Sequence, residues 1–143
     1  MRRAGLIVNP LAGKSQGKGV TLAGKLGATS GVSVHILRQF AELRSALQSF
    51  AAEAVTDLFI SSGDGTVQAI QTMLAEDEVF AELPRLCLLP HGTTNMTAAD
   101  VGFRHKGLEA QLAMLRNVAP EVTTERPTLR AINPRDGQPR HGM

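Results

Sequence analysis

The stretch that decides the fold is residues 58–70, which reads LFISSGDGTVQAI. It begins with an apolar run typical of a buried strand, continues through a glycine turn, and ends in a helical pattern. Such a turn leaves backbone N–H groups unpaired beside the positive end of the helix dipole. Glycine also lets a phosphate approach the backbone without a clashing Cβ. The stretch therefore suggests a phosphate-binding loop.

Asp64 makes this loop unusual, because a carboxylate repels phosphate unless a metal ion or a proton-transfer role compensates. The loop therefore suggests phosphate chemistry rather than phosphate binding alone. The alternative is that Ser-Gly-Asp-Gly is an ordinary turn composition and that Asp64 merely caps the following helix. The stretch by itself leaves both interpretations open, and two further loops favour the first.

Outward from this stretch, short apolar runs alternate with segments of helical spacing. Strands are predicted at 4–9, 32–37, 57–62 and 85–89. Helices are predicted at 20–28, 40–55, 66–76 and 108–115, with a helical turn at 97–99. This order predicts an α/β fold, a three-layer doubly wound parallel sheet covered by helices on both faces.

Three polar loops follow strands, at 9–17, 61–66 and 90–95. Ligands of such sheets bind at the carboxyl ends of the strands, so we expect these loops to converge. In the first loop Asn9 can hydrogen-bond a ligand and Lys14 can supply a charge to phosphate. Its Gly-Lys-Ser end imitates a P-loop, but Val8 and Pro10 do not fit that motif.

The third loop contains Gly92, Thr93, Thr94 and Asn95, which offer close backbone approach, hydroxyl groups and an amide. His91 precedes them and has no partner evident in the sequence, so it is interpreted as a solvated loop residue. The remaining histidines and Cys87 show no metal-ligand spacing, and no zinc site is predicted.

The 143-residue chain carries a net charge of +2, one cysteine, and neither Trp nor Tyr. There is no run of basic residues and no aromatic interleaving, so we expect no nucleic-acid partner.

The lone Cys87 lies in an apolar run, where a buried structural thiol in a reducing compartment is the default interpretation. No stretch has the length of a transmembrane helix. The expected localisation is cytoplasmic.

The end of the chain has a different pattern. Residues 122–132 alternate roughly like a strand, and Asn133 to Gly137 form a turn signal. We expect residues 1–121 to form the α/β domain and residues 122–143 to be the first arm of a truncated β-rich second domain. That arm would be unpaired, and a frayed terminal tail is the alternative.

Three motifs, taken in order, resemble the catalytic domain of the diacylglycerol kinase family. They are Asn9-Pro10 with Gly13-Lys14, the run from Ser62 to Thr66, and the run from Pro90 to Asn95. That family includes bacterial lipid kinases and sphingosine kinases, and its fold is related to those of NAD kinases and phosphofructokinases. The resemblance covers about residues 4–120.

The resemblance implies an enzyme that uses ATP and Mg²⁺. The family's Gly-Gly-Asp-Gly-Thr loop, which holds ATP phosphates and Mg²⁺, falls on Ser62, Gly63, Asp64, Gly65 and Thr66. The family's other two nucleotide loops fall on Asn9, Pro10, Gly13 and Lys14 and on Gly92, Thr93, Thr94 and Asn95. Asp64 is the expected catalytic residue, either as the Mg²⁺ ligand or as the acceptor of the substrate proton.

The leading hypothesis is an ATP-dependent lipid kinase that phosphorylates a diacylglycerol-like or sphingoid hydroxyl. The alternatives are a kinase of a soluble hydroxyl compound and a non-catalytic nucleotide-binding module. Two departures from the family pattern, Gln68-Ala69 and Met96, leave a divergent or inactive relative open. Expected partners are nucleotide, lipid, transiently a membrane surface, and a second copy in a homodimer. The resemblance also implies a C-terminal β-sandwich domain that contributes the lipid site, so we expect residues 1–143 alone to be inactive on lipid.

Overall fold

The structure is a computed structural model, and it describes residues 2–10, 17–26, 31–91, 107–116, 129–132 and 134–142. Its strands are β1 (Ala4–Val8), β2 (Ser33–Ile36), β3 (Asp57–Ser62), β4 (Arg85–Pro90), β5 (Leu129–Ile132) and β6 (Pro139–Gly142). Its helices are α1 (Lys18–Leu26), α2 (Leu43–Ala52), α3 (Asp64–Glu76) and α4 (Leu108–Arg116), with a 3-10 turn at Phe40–Glu42.

From β1 to α4 the predicted order of strands and helices is confirmed for the described residues, whereas β6 was not predicted. Strand β3 has the bounds that the sequence predicted, whereas α1 and α3 each begin two residues earlier than expected. Gly17 explains the early start of α1: its φ of +77° suits glycine, and its carbonyl already accepts a hydrogen bond from the Thr21 N–H. The helical turn expected at 97–99 lies outside the described residues.

Strands β1 to β4 form a parallel sheet in the order β2-β1-β3-β4. The two central strands, β1 and β3, are buried along their whole length, as expected of strands covered on both faces. Strand β2 lies at the sheet edge and alternates between exposed and partly buried residues. The doubly wound α/β prediction is confirmed.

Two separate apolar cores lie on the two faces of this sheet, and successive strand residues alternate between them. On one face Ile60 and Leu88 pack with residues of α2 and α3. On the other face Phe59 and Leu89 pack with residues of α1 and α4. Because α1 follows β1 and α3 follows β3, the chain leaves these two neighbouring strands toward opposite faces. Ligands of open α/β sheets bind at such a switch point.

The C-terminal strands pair with each other, which corrects the expectation of an unpaired arm. Strands β5 and β6 form an antiparallel hairpin with Leu129 opposite Gly142 and Ile132 opposite Pro139. Strand β6 also packs against α3: the His141 N–H donates to Thr72 Oγ1 at 2.9 Å, and His141 Nε2 lies 2.7 Å from Glu76 Oε1. The hairpin is therefore attached to the helix that begins at the glycine turn.

None of the described helices is both long enough and apolar enough to cross a membrane. Cys87 is half-buried rather than fully buried, and it packs against the core on the α1 and α4 face.

Candidate functional site

The glycine turn of the 58–70 stretch joins β3 to α3 at the carboxyl edge of the sheet. Gly63 is the N-cap residue of α3, with extended backbone angles and no side-chain cap. Asp64 is the first residue inside the helix, so the simple helix-cap interpretation of Asp64 is wrong. Since glycine has no side-chain oxygen to cap a helix, the first turn of this 13-residue helix keeps the anion-binding character of a helix N-terminus.

Asn9 connects the first loop to this turn. Its backbone N–H donates to the Ser61 carbonyl at 3.0 Å, which continues the β1–β3 pairing by one residue. Its side-chain Nδ2 donates to Thr66 Oγ1, also at 3.0 Å. Thr66 is buried in the first turns of α3, so one asparagine ties the end of β1 to the start of the helix. The structure thus brings these two predicted site residues together.

Ser62 has a buried side-chain hydroxyl that lacks a hydrogen-bond partner among the described residues. The residue as a whole is 4% exposed. A buried hydroxyl without a partner costs about 1–3 kcal/mol, so such groups call for an explanation at a binding or catalytic site. Ser62 directly precedes the N-cap of α3, where a ligand oxygen could satisfy it.

His91 contradicts the expectation of a solvated loop histidine. It is 3% exposed, its Nδ1 lies 2.7 Å from Ser61 Oγ, and its Nε2 lies 3.1 Å from Gln111 Oε1. Burial lowers the pKa of His91 below its usual value of 6.5, and the positive charge of Lys18 acts in the same direction. The hydrogen bond to Gln111 opposes this shift without reversing it. The lowered pKa favours the neutral form of the ring.

Gly19 is a further residue that the sequence reasoning missed. It lies in the first turn of α1, and an added Cβ would come 2.7 Å from Val8 Cγ1 and 2.9 Å from Ser61 Cβ, and closer still to Ser61 Oγ. The helix therefore packs directly onto the end of β3. Ser61 takes part in all of these contacts. Its carbonyl also accepts a hydrogen bond from the Asn9 N–H, and its Oγ is hydrogen-bonded to His91 Nδ1.

The sequence contained a signal for the side-chain hydrogen-bond network of Ser61, His91 and Gln111. Ser61 ends an apolar strand, and Gln111 falls on the same helical stripe as Leu108, Leu112 and Leu115. A polar residue on a buried stripe needs a hydrogen-bond partner, and His91 is that partner.

Six predicted site residues lie outside the described part of the chain: Gly13, Lys14, Gly92, Thr93, Thr94 and Asn95. The other predicted residues lie at the carboxyl edge of β1 or β3: Asn9, Pro10, Ser62, Gly63, Asp64, Gly65 and Thr66. No group of three or more His, Cys, Asp or Glu side chains that could hold a metal ion occurs among the described residues.

The fold is shared with solved bacterial proteins. The crystal structure of a diacylglycerol kinase from Bacillus anthracis strain Sterne is 24% identical, with a TM-score of 0.58, and the match covers 80% of this chain and 39% of that one. A second protein of the same strain, assigned as a diacylglycerol kinase, is 25% identical with a TM-score of 0.58. That match covers 80% of this chain and 42% of the other. The chain therefore spans about two fifths of the length of these proteins.

No curated protein sequence is significantly similar to the chain. A family model does match: that of the diacylglycerol kinase catalytic domain, over residues 3–125. That range contains β1 to β4, the glycine turn and the hydrogen-bond network of Ser61, His91 and Gln111. The chain thus belongs to the diacylglycerol kinase catalytic domain family, a family of lipid kinases.

Proposed function

We propose that this chain is the nucleotide-binding part of an ATP-dependent lipid kinase, which transfers the terminal phosphoryl group of ATP to a lipid hydroxyl. One observation carries the proposal: the uncapped N-terminus of α3 lies beside a buried Ser62 hydroxyl that has no partner among the described residues. Backbone N–H groups and a helix dipole favour an anion at this place, and a phosphate oxygen can accept the Ser62 hydrogen bond.

The residues present fit a nucleotide with its metal ion. Ser62, Gly63, Gly65 and Thr66 would bind phosphate oxygens, and Asn9 would hold the neighbouring loop against them. Asp64 would supply a carboxylate oxygen to Mg²⁺, the ligand type that this ion prefers, or would accept the proton of the lipid hydroxyl. Mg²⁺ bound with ATP neutralises charge on the phosphates during phosphoryl transfer. The protein contributes mainly positioning and electrostatics.

The lipid acceptor is proposed from family membership, since the family model that matches is that of the diacylglycerol kinase catalytic domain. Under this proposal residues 1–121 bind the nucleotide, and residues 122–143 begin a second domain that helps to enclose the lipid. The hairpin on α3 supports a direct connection between these two parts, because β6 contacts the helix that begins at the phosphate loop.

Gly65→Val tests the nucleotide site. A Cβ at Gly65 meets no atom within 4 Å outside the backbone of its own helix, so the position has room for a side chain. The substitution places a branched side chain where a phosphate would approach the backbone. We therefore expect calorimetry on the 143-residue chain to show much weaker Mg·ATP binding with a nearly unchanged urea unfolding midpoint.

Gly24→Val is the matched control. Gly24 also lies in a helix and also has nothing within 4 Å of an added Cβ, but its helix position is away from the glycine turn. It should leave nucleotide affinity unchanged. Equal affinities for wild type, Gly65→Val and Gly24→Val would refute the phosphate-loop assignment.

The reaction itself is tested with the full-length protein, ATP and a panel of lipids, with products identified by mass spectrometry. A phosphorylated lipid supports the proposal. A phosphorylated soluble compound in a parallel panel would replace the lipid acceptor, and nucleotide binding without any product would identify a regulatory module.

A further inference from the structure

The hydrogen bond between Asn9 and Thr66 has a direction. The Asn9 Nδ2 donates and the Thr66 Oγ1 accepts, at 3.0 Å. The backbone of Asn9 is itself anchored, because its N–H donates to the Ser61 carbonyl where the β1–β3 pairing ends. The Asn9 amide is therefore presented to Thr66 from a fixed point at the carboxyl edge of the sheet.

This direction leaves the proton of the Thr66 hydroxyl available. A hydroxyl group has one O–H donor and two acceptor lone pairs, and the Asn9 amide uses one of the lone pairs. Thr66 is 4% exposed, and among the described residues its hydroxyl proton has no acceptor. Because buried polar groups are normally hydrogen-bonded, this proton indicates an acceptor from outside that part of the chain.

Ser62 supplies a second buried hydroxyl on the other side of the glycine turn. Its Oγ has no partner among the described residues. Between the two hydroxyls, Gly63 begins α3 without a side-chain cap. Hydroxyl protons and the N–H groups of a helix start are all donors. The group that fits them best is one that only accepts hydrogen bonds, as an ionised phosphate oxygen does.

We propose that Asn9 is a positioning residue, whose hydrogen bond turns the Thr66 hydroxyl so that its proton points at a phosphate oxygen of the nucleotide. This inference rests on the proposed function, because it takes the turn from Ser62 to Thr66 as the nucleotide site. Asn9 then acts on nucleotide affinity through Thr66. With the opposite direction of the bond, the Asn9 oxygen would occupy the Thr66 proton, and removal of Asn9 would not weaken binding.

A double-mutant cycle separates an action through Thr66 from a nucleotide contact made by Asn9 itself. Its variants are Asn9→Ala, Thr66→Val and the two combined, since Thr66→Val keeps the branched shape but removes the hydroxyl. Thr66→Ser is the conservative variant, because it keeps the hydroxyl. Thr72→Val is the matched control: it makes the same substitution in the same helix, but away from the glycine turn.

The measurement is the Mg·ATP affinity of the 143-residue chain by calorimetry, with urea unfolding of each variant to establish that it is folded. Thr66→Val should weaken binding about tenfold, the size expected for a hydrogen bond to a charged group. Asn9→Ala should weaken it roughly two- to tenfold. The combined variant should bind no more weakly than Thr66→Val, because no hydroxyl remains to be oriented. Thr66→Ser should keep most of the affinity and Thr72→Val all of it.

Wild-type affinity in Asn9→Ala would overturn the inference. Additive losses in the combined variant would also overturn it, because Asn9 would then act independently of Thr66. A second readout needs no nucleotide: hydrogen exchange of the Asn9 side-chain amide should be slower in wild type than in Thr66→Val, and equal rates would mean that Asn9 does not donate to Thr66. If the wild-type chain does not bind Mg·ATP, the proposed function fails, and the exchange comparison still decides whether Asn9 holds the Thr66 hydroxyl.

Discussion

Gly19→Ala is the substitution for which the structure gives the sharpest expectation. The added Cβ would lie 2.7 Å from Val8 Cγ1 and 2.9 Å from Ser61 Cβ, distances that real Cβ atoms essentially never show. Helix α1 cannot easily move away, because its Leu22 and Leu26 side chains are buried in the apolar core on this face of the sheet. Either β3 or the helix must shift.

Two opposing contributions determine how much Gly19→Ala changes the free energy of unfolding. Overpacking a well-filled core costs about 1–3 kcal/mol. Replacing glycine by alanine in a helix gains up to ~1 kcal/mol in intrinsic propensity. Gly24→Ala, in the same helix with nothing within 4 Å of its added Cβ, measures the second term alone. The difference between the two variants is therefore the overpacking cost, about 1–3 kcal/mol.

The assay is urea unfolding of wild type, Gly19→Ala and Gly24→Ala, with the free energies extrapolated at a common m-value. Gly24→Ala should be slightly more stable than wild type and Gly19→Ala less stable. A double-mutant cycle with Ser61→Ala adds a check, because removal of the nearest obstructing atom should reduce the cost of Gly19→Ala. If Gly19→Ala is as stable as Gly24→Ala, the close packing of α1 on β3 is refuted.

Three further expectations concern the site and its surroundings. In the full-length enzyme, Asp64→Asn should lower kcat by roughly 10²–10⁴-fold with little change in nucleotide affinity, since the amide keeps the shape but loses the charge; a nearly normal kcat would remove Asp64 from the chemistry. Because burial lowers the pKa of His91, the unfolded chain binds a proton near pH 6.5 before the folded protein does, so stability should fall as pH drops through that range. Urea titrations at several pH values should show this fall in wild type and a smaller one in His91→Leu; parallel curves would contradict it. Thr72→Val removes the acceptor of the His141 N–H and should cost about 1 kcal/mol and speed exchange of that amide; unchanged exchange would mean that this bond does not hold the hairpin on α3.

The strands and helices of the α/β fold could be predicted from local sequence patterns. The apolar run from Leu58 to Ile60 predicted a strand buried on both faces, and the glycine turn after it predicted the start of a helix. The same pattern placed Asn9 and Thr66 at one edge of the sheet. The structure confirms this with a direct hydrogen bond between them.

The partners of His91 could not be read in the same way. Ser61 and Gln111 are 30 and 20 residues away from His91 in sequence. They meet it because β3 pairs with β4 in a register that sets Ser61 opposite Leu89, and because α4 packs on the same face. The C-terminal hairpin is a similar case, since its strand β6 contacts α3 through residues 65 and 69 positions apart.

The sequence by itself determined the type of the strands β1 to β4 and of the helices α1 to α4, and the chemistry available at the carboxyl edge of the sheet, because hydrophobic period and turn composition are local properties. Only the tertiary structure decided which polar groups meet there and which are buried. Strand order and register bring distant residues together, and burial then requires each polar group to find a partner. For this reason His91, which the sequence suggested to be a solvated residue, is buried and hydrogen-bonded to Ser61 on β3 and to Gln111 on α4.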